Sequence, residues 1–109
     1  MTNDFYCDEA FSGRTPVEVV METDEVMAFH HTQPFWPIHI VVAPKAHIPS
    51  LTNLGDYDES VLHKVLNVVR QVAANVELEH GACRVITNLG QYQDSKHLHF
   101  HVNSGEPLR

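Results

Sequence analysis

The run Lys96-His97-Leu98-His99-Phe100-His101-Val102 constrains this chain more than any other stretch. In an extended backbone successive side chains point to opposite faces, so His97, His99 and His101 share one side while Leu98, Phe100 and Val102 share the other. The apolar side asks for a core. The histidine side asks for a purpose, because histidine is neither a strong β-former nor commonly buried, and packing does not call for imidazoles repeated every 6.5–7 Å or so along a strand.

The partner for that apolar side is a helix. Val61, Leu62, Val65, Leu66, Val68, Val69, Val72, Ala73 and Val76 recur at helical spacing, Asp56 and Glu59 resemble a capping box, and Gly81 supplies a stop. The spacing predicts a long helix over about 57–79. Val17–Met21 and Val26–Phe29 read as a hairpin around the polar turn 22–25. Pro34 and Pro37 make 30–37 a loop, Ile38–Ala43 reads as a third strand, Cys83–Asn88 as a fourth and the histidine run as a fifth. A short N-terminal helix over 4–13 would close at Gly13. Strands, one long helix and then strands predict an α+β fold, with a mostly antiparallel five-stranded sheet covered on one face.

Composition narrows the function. A chain of 109 residues with 43% apolar content supports one domain and one core. A net charge of -7 argues against wrapping nucleic acid, although a small phosphate can be met locally by imidazoles and backbone N–H groups. Cys7 and Cys83 have no metal or redox spacing, which suits free thiols in a reducing cytoplasm. The acidic N-terminus does not read as a signal peptide, and no apolar run reaches membrane-spanning length.

Three roles compete for the histidine face. As structural groups, each buried imidazole would need a partner. As zinc ligands, His-x-His offers two nitrogens, with His39 or His47 completing the set. As catalysts, a neutral imidazole attacks phosphorus once a hydrogen bond at its other nitrogen has chosen the tautomer, while its neighbours orient it or assist the leaving group. The last role uses all three histidines. Asn88-Leu89-Gly90 at a strand end would suit a small polar ligand, or be an ordinary turn.

His97-Leu98-His99-Phe100-His101-Val102 resembles the signature of the histidine triad (HIT) family. The likeness extends through Asp24–His30, Ile38–Ile48, Asp58-Glu59-Ser60 and Arg84–Gly90, and so covers nearly the whole chain. The resemblance implies a single HIT domain over 1–109, a homodimer, and hydrolysis or transfer at the α-phosphate of a nucleoside phosphoramidate, adenylate or dinucleoside polyphosphate. It implies His99 as the nucleophile forming a nucleotidyl-histidine, His101 as assistant at the leaving group and His97 as support. It implies substrate contacts from His39, Asn88, Gly90 and Gln93, and a base-binding wall of Phe5, Tyr6 and Phe29.

Two departures stand out. His31 occupies the place of an aspartate that holds the ribose hydroxyls in phosphoramidase-like relatives, and Asp94 replaces the hydroxyl residue that usually follows the motif's glutamine. Zinc-binding relatives carry Cys-x-x-Cys where this chain has Asp4 and Cys7, so no metal or other cofactor is expected. A mixed Asp4, Cys7, His47, His97 site is the zinc alternative. The expected partner is a small nucleotide, with no nucleic acid and no membrane. The competing functions are a noncatalytic nucleotide sensor and a zinc-binding protein.

Overall fold

A computed structural model describes Tyr6 and residues 16–109. The elements run β1 (Val19–Glu22), β2 (Val26–His30), β3 (Ile38–Pro44), α1 (Ser60–His80), β4 (Arg84–Ile86), a 3-10 turn (Gly90–Tyr92) and β5 (Phe100–Ser104). The sheet order is β1-β2-β3-β5-β4, and every pairing is antiparallel. The expected N-terminal helix, with Asp4, Phe5, Cys7 and Gly13, lies outside the described residues.

Strand alternation divides the apolar residues between two layers. Val26 and Ala28 of β2, Ile40 and Val42 of β3, and Phe100 and Val102 of β5 pack with Val61, Val65, Val68, Val69, Val72 and Val76 of α1. Met27 and Phe29 of β2 and Val41 and Ala43 of β3 face the other way, with Tyr6. The helix therefore covers one face, and the histidines are left to the other. α1 ends as its sequence predicts: Gly81 adopts φ 81°, and its N–H donates to the carbonyl of Glu77, a left-handed stop that glycine adopts at little steric cost.

The helix begins at Ser60 rather than near 57, and the Asp56–Glu59 capping box does not form. Asp58 takes that role instead. Its Oδ1 accepts the Ser60 backbone N–H at 2.9 Å and also the Ser60 hydroxyl. These bonds favour the ionised carboxylate and hold Asp58 below its ordinary pKa.

The fifth strand is shorter at its start than expected, opening at Phe100 rather than Lys96. Pairing with β3 runs from Ile38↔Ser104 to Val42↔Phe100 and stops there. At the end of β3, Pro44 has no N–H to offer, and its carbonyl accepts from the His97 imidazole at 2.7 Å. Upstream of the strand, the Leu98 N–H donates to Ile48 O at 2.6 Å, and the His99 carbonyl accepts from the Thr87 hydroxyl at 2.8 Å. Side chains and a loop thus take over the backbone partners of 97–99, while Leu98 still faces the helix layer. The fourth strand contracts to Arg84–Ile86 and the first spans Val19–Glu22.

Candidate active site

The open face of the sheet gathers the histidines through register. His101 of β5 pairs with Val41 of β3, and His39 pairs with Asn103, so His39 and His101 are diagonal neighbours on one face. The His39 Nε2 and His101 Nδ1 atoms lie 2.8 Å apart. Rings continue the chain on either side, with His31 stacked on His39 at 4.3 Å and His99 edge-on to His101 at 5.0 Å between centroids. Tyr6 covers His97 and His99 at 5.2 and 4.9 Å.

Hydrogen bonds assign the tautomers. The His99 Nδ1 lies 2.6 Å from the His97 carbonyl oxygen; a carbonyl only accepts, so Nδ1 carries the proton and Nε2 keeps its lone pair. At His39 the Phe35 backbone N–H donates to Nδ1 at 3.0 Å, so neutral His39 holds its proton on Nε2 and donates it to His101 Nδ1. Neutral His101 is then left with its proton on Nε2. His97, fully buried, donates through Nε2 to Pro44 O.

Burial favours the neutral forms of His31, His39, His99 and His101. It lowers His39 to about 4, with His31 nearby adding to the shift. His101 falls to about 3 through burial, reinforced by His99, His39 and His31. Burial is also the largest cause lowering His99 and His31. A neutral imidazole keeps one nitrogen unprotonated, and that lone pair is what nucleophilic attack requires.

Two adjoining cavities share His31 and His101. One, of about 310 Å³, holds His99 between Tyr6, Phe29, Val41 and Ser95. The other, of about 400 Å³, is lined by His39, Trp36, Phe35, Asn88 and Arg109. Asp94 lines both.

The HIT domain family model matches residues 12–108. The chain belongs to the HIT domain family. An uncharacterized HIT-like protein of Buchnera aphidicola is 31% identical over 98 residues, 88% of each chain. The purine nucleoside phosphoramidase of Escherichia coli strain K12 is 28% identical over 95 residues, 85% of this chain and 80% of that one. Among solved structures, a histidine triad protein from Clostridium difficile aligns with a TM-score of 0.80 at 32% identity, covering 97% of this chain and 93% of that one. A HIT family hydrolase from Legionella pneumophila aligns at 0.80 and 28%, covering 98% and 96%.

Within this HIT fold the expected site residues separate by position. His99, His101, His39, His31, Asn88, Phe29 and Tyr6 line the two cavities. His97 supports from behind, its carbonyl and ring both engaged. Gln93 is buried, and its amide donates to Pro49 O at 2.7 Å. The Gly90 carbonyl accepts the Lys96 ammonium at 2.9 Å. Neither Gln93 nor Gly90 lines the two cavities; both brace the turn between β4 and the histidine segment. Of the mixed zinc set, Asp4 and Cys7 lie outside the described residues, and the His47 ring packs edge-on to His97 at 5.3 Å.

Trp36, Ser95 and Arg109 join the site without having been expected there. Arg109 is brought in by the tail, where Leu108 N–H donates to Phe35 O at 2.7 Å, and its guanidinium donates to Gln33 O at 3.2 Å and lies 5.7 Å from the Phe35 ring centre. Gly105 permits that path with φ +95° and Pro37 so close that a Cβ would stand 2.9 Å from its ring. No local pattern marks these contacts. The Pro-rich loop was the available signal for Trp36, and Ser95 differs from a solvated serine only in that its Oγ is buried with no hydrogen-bond partner among the described residues.

Proposed function

We propose that this protein is a nucleotide hydrolase or nucleotidyl transferase in which His99 Nε2 attacks the α-phosphorus of a nucleoside phosphoramidate, adenylate or dinucleoside polyphosphate. The observation that carries the proposal is the bond from His99 Nδ1–H to the His97 carbonyl, which leaves Nε2 as the free lone pair in a cavity walled by Tyr6 and Phe29. In the first step the Nε2–P bond forms and the bond from phosphorus to the leaving nitrogen or oxygen breaks. The new imidazolium is stabilised through its remaining Nδ1–H.

In the second step water attacks phosphorus and the Nε2–P bond breaks, releasing a nucleoside monophosphate. One water is consumed overall: its hydroxyl goes to phosphorus, and its other proton balances the departing amine or phosphate. His101, fixed by His39, presents Nε2–H to phosphate oxygen or leaving group. The aromatic wall suits a nucleobase, and the phosphoramidase activity of the E. coli relative supports a phosphoramidate as substrate. The proposed assembly is a homodimer through α1 and the edge of β4, supported by the exposure of Leu66 and Val85 there.

The test is to incubate the protein with adenosine or guanosine phosphoramidate, quench without acid and map adducts by mass spectrometry. A nucleotidyl group on His99, absent from His99→Ala, is expected. Tight nucleotide binding with neither adduct nor product would replace the enzyme by a sensor.

A further inference from the structure

The proposed chemistry uses His99 and His101, yet among the described residues His31, His39 and His101 gather one step away. One nitrogen from each lies within 4.8 Å of the other two. We propose that these three side chains form a binding site for a single divalent ion of the zinc, cobalt or nickel class, with a fourth coordination position open to the cavity beside them. This set shares no residue with the mixed Asp4, Cys7, His47, His97 alternative.

Geometry favours such an ion. Bonds of about 2.0–2.1 Å in tetrahedral coordination hold ligand nitrogens roughly 3.3 Å apart. The His39 and His101 nitrogens already stand 2.8 Å apart, so they need to open by only about half an ångström around the ion. His31 is half-buried in the loop after β2 and stacked on His39; its Nδ1 accepts the exposed Gln33 N–H at 2.9 Å, a bond given up to water when either ring nitrogen joins the set. All three donors are imidazoles, which suit zinc, nickel and copper better than magnesium or calcium. Three protein nitrogens with an open fourth position is also the pattern of accessible rather than sealed metal sites.

Binding has a definite local consequence. To coordinate through Nε2, His39 must move its proton to Nδ1, which now accepts from the Phe35 N–H. That bond is lost, and the Phe35 amide, on an exposed loop, turns to water. The neighbouring residue reports the change: Trp36 is the only tryptophan in the chain, and its ring lies 5.1 Å from that of His39. The ion also takes His101 Nδ1 away from its bond with His39. Inhibition of turnover follows from this, and that part alone rests on the function proposed above.

The experiment uses the full chain stripped with a chelator and titrated with cobalt(II), nickel(II) or zinc(II) alone. The expected result is one equivalent bound per chain, a tetrahedral-type visible spectrum with cobalt, and quenching of Trp36 emission by nickel. His31→Ala, a change on a half-buried loop, is expected to weaken binding by more than about 100-fold, beyond what loss of an outer-shell partner costs. His99→Ala abolishes the proposed chemistry but is expected to bind metal normally, so failure of the site and failure of the enzyme reading are separable. No binding at tens of micromolar would overturn the site. So would binding that survives His31→Ala and disappears in His47→Ala.

Discussion

His39 Nε2 and His101 Nδ1 face each other at 2.8 Å, and the direction of that bond is set from outside the pair by the Phe35 N–H on His39 Nδ1. A loop amide therefore decides which nitrogen of His101 holds its proton. Removing the donor with His39→Ala is expected to lower kcat/KM for a nucleoside phosphoramidate about tenfold, the weight of one hydrogen bond. His39→Gln, which can offer an amide N–H in its place, should recover most of the loss. Equal losses in the two variants would show that His39 acts by packing and not as a donor.

Acid should weaken the fold in a defined window. His39 and His101 are lowered to about 4 and about 3 in the folded chain, below the ordinary value of about 6.5 that they regain on unfolding. Between these limits the unfolded chain binds more protons, so stability is fully present above about pH 6.5 and falls as pH drops toward the folded values. Urea midpoints with a chelator present should therefore fall from pH 7.5 to pH 5. Asp58, a carboxylate held low by Ser60, loses its contribution only as pH falls below the ordinary carboxylate range, so it does not mimic this slope. Replacing His101 by Phe should flatten the decline.

Much of this was written in local periodicity. The two-residue alternation of 97–102 separates Leu98, Phe100 and Val102 from the histidines whether or not a ladder forms, and the valines of α1 recur at helical spacing. The end of pairing at Phe100 was less legible, since it depends on Pro44 meeting the His97 ring across 53 positions. The choice of Asp58 over Asp56 as cap turns on where the backbone bends, and two acids two residues apart do not announce it. Arg109 reaches Gln33 across 76 positions, and no spacing rule connects a tail to a loop so distant.

Arg109 should influence substrate choice. It lines the cavity containing His39 and Asn88, placed to favour a leaving group that carries negative charge. Arg109→Ala is expected to reduce kcat/KM about fivefold for such substrates, in keeping with a partly exposed charge contact, and to leave neutral amine leaving groups unchanged. Gly105→Ala should give the same selective loss, because a Cβ there meets Pro37 at 2.9 Å and displaces the tail. An equal effect on both substrate types would remove Arg109 from this role.

Asp94 works in the opposite sense. Its carboxylate borders both cavities and favours protonation of His31 and His99, while opposing an incoming phosphate. Asp94→Asn should therefore tighten nucleoside monophosphate binding by about threefold, the scale of an exposed charge interaction. Calorimetric titration of wild type and variant is the check; weaker binding in the variant would mean that the carboxylate holds the ligand through a hydrogen bond instead.

The remaining exposed apolar surface bears on assembly. β4 occupies the sheet edge with Val85 48% exposed, and a cavity of about 650 Å³ separates it from Asn67, Gln71 and Ala74 on α1. An edge strand beside an open, partly apolar hollow is a surface that a second copy can fill while extending the sheet. Sedimentation at micromolar concentration should give twice the 12.3 kDa chain mass. Val85→Arg should shift the protein toward monomer without unfolding it, since Val85 is outside the buried core. A monomer in the unaltered protein would count against the proposed dimer, and a dimer unaffected by Val85→Arg would move the interface to another face.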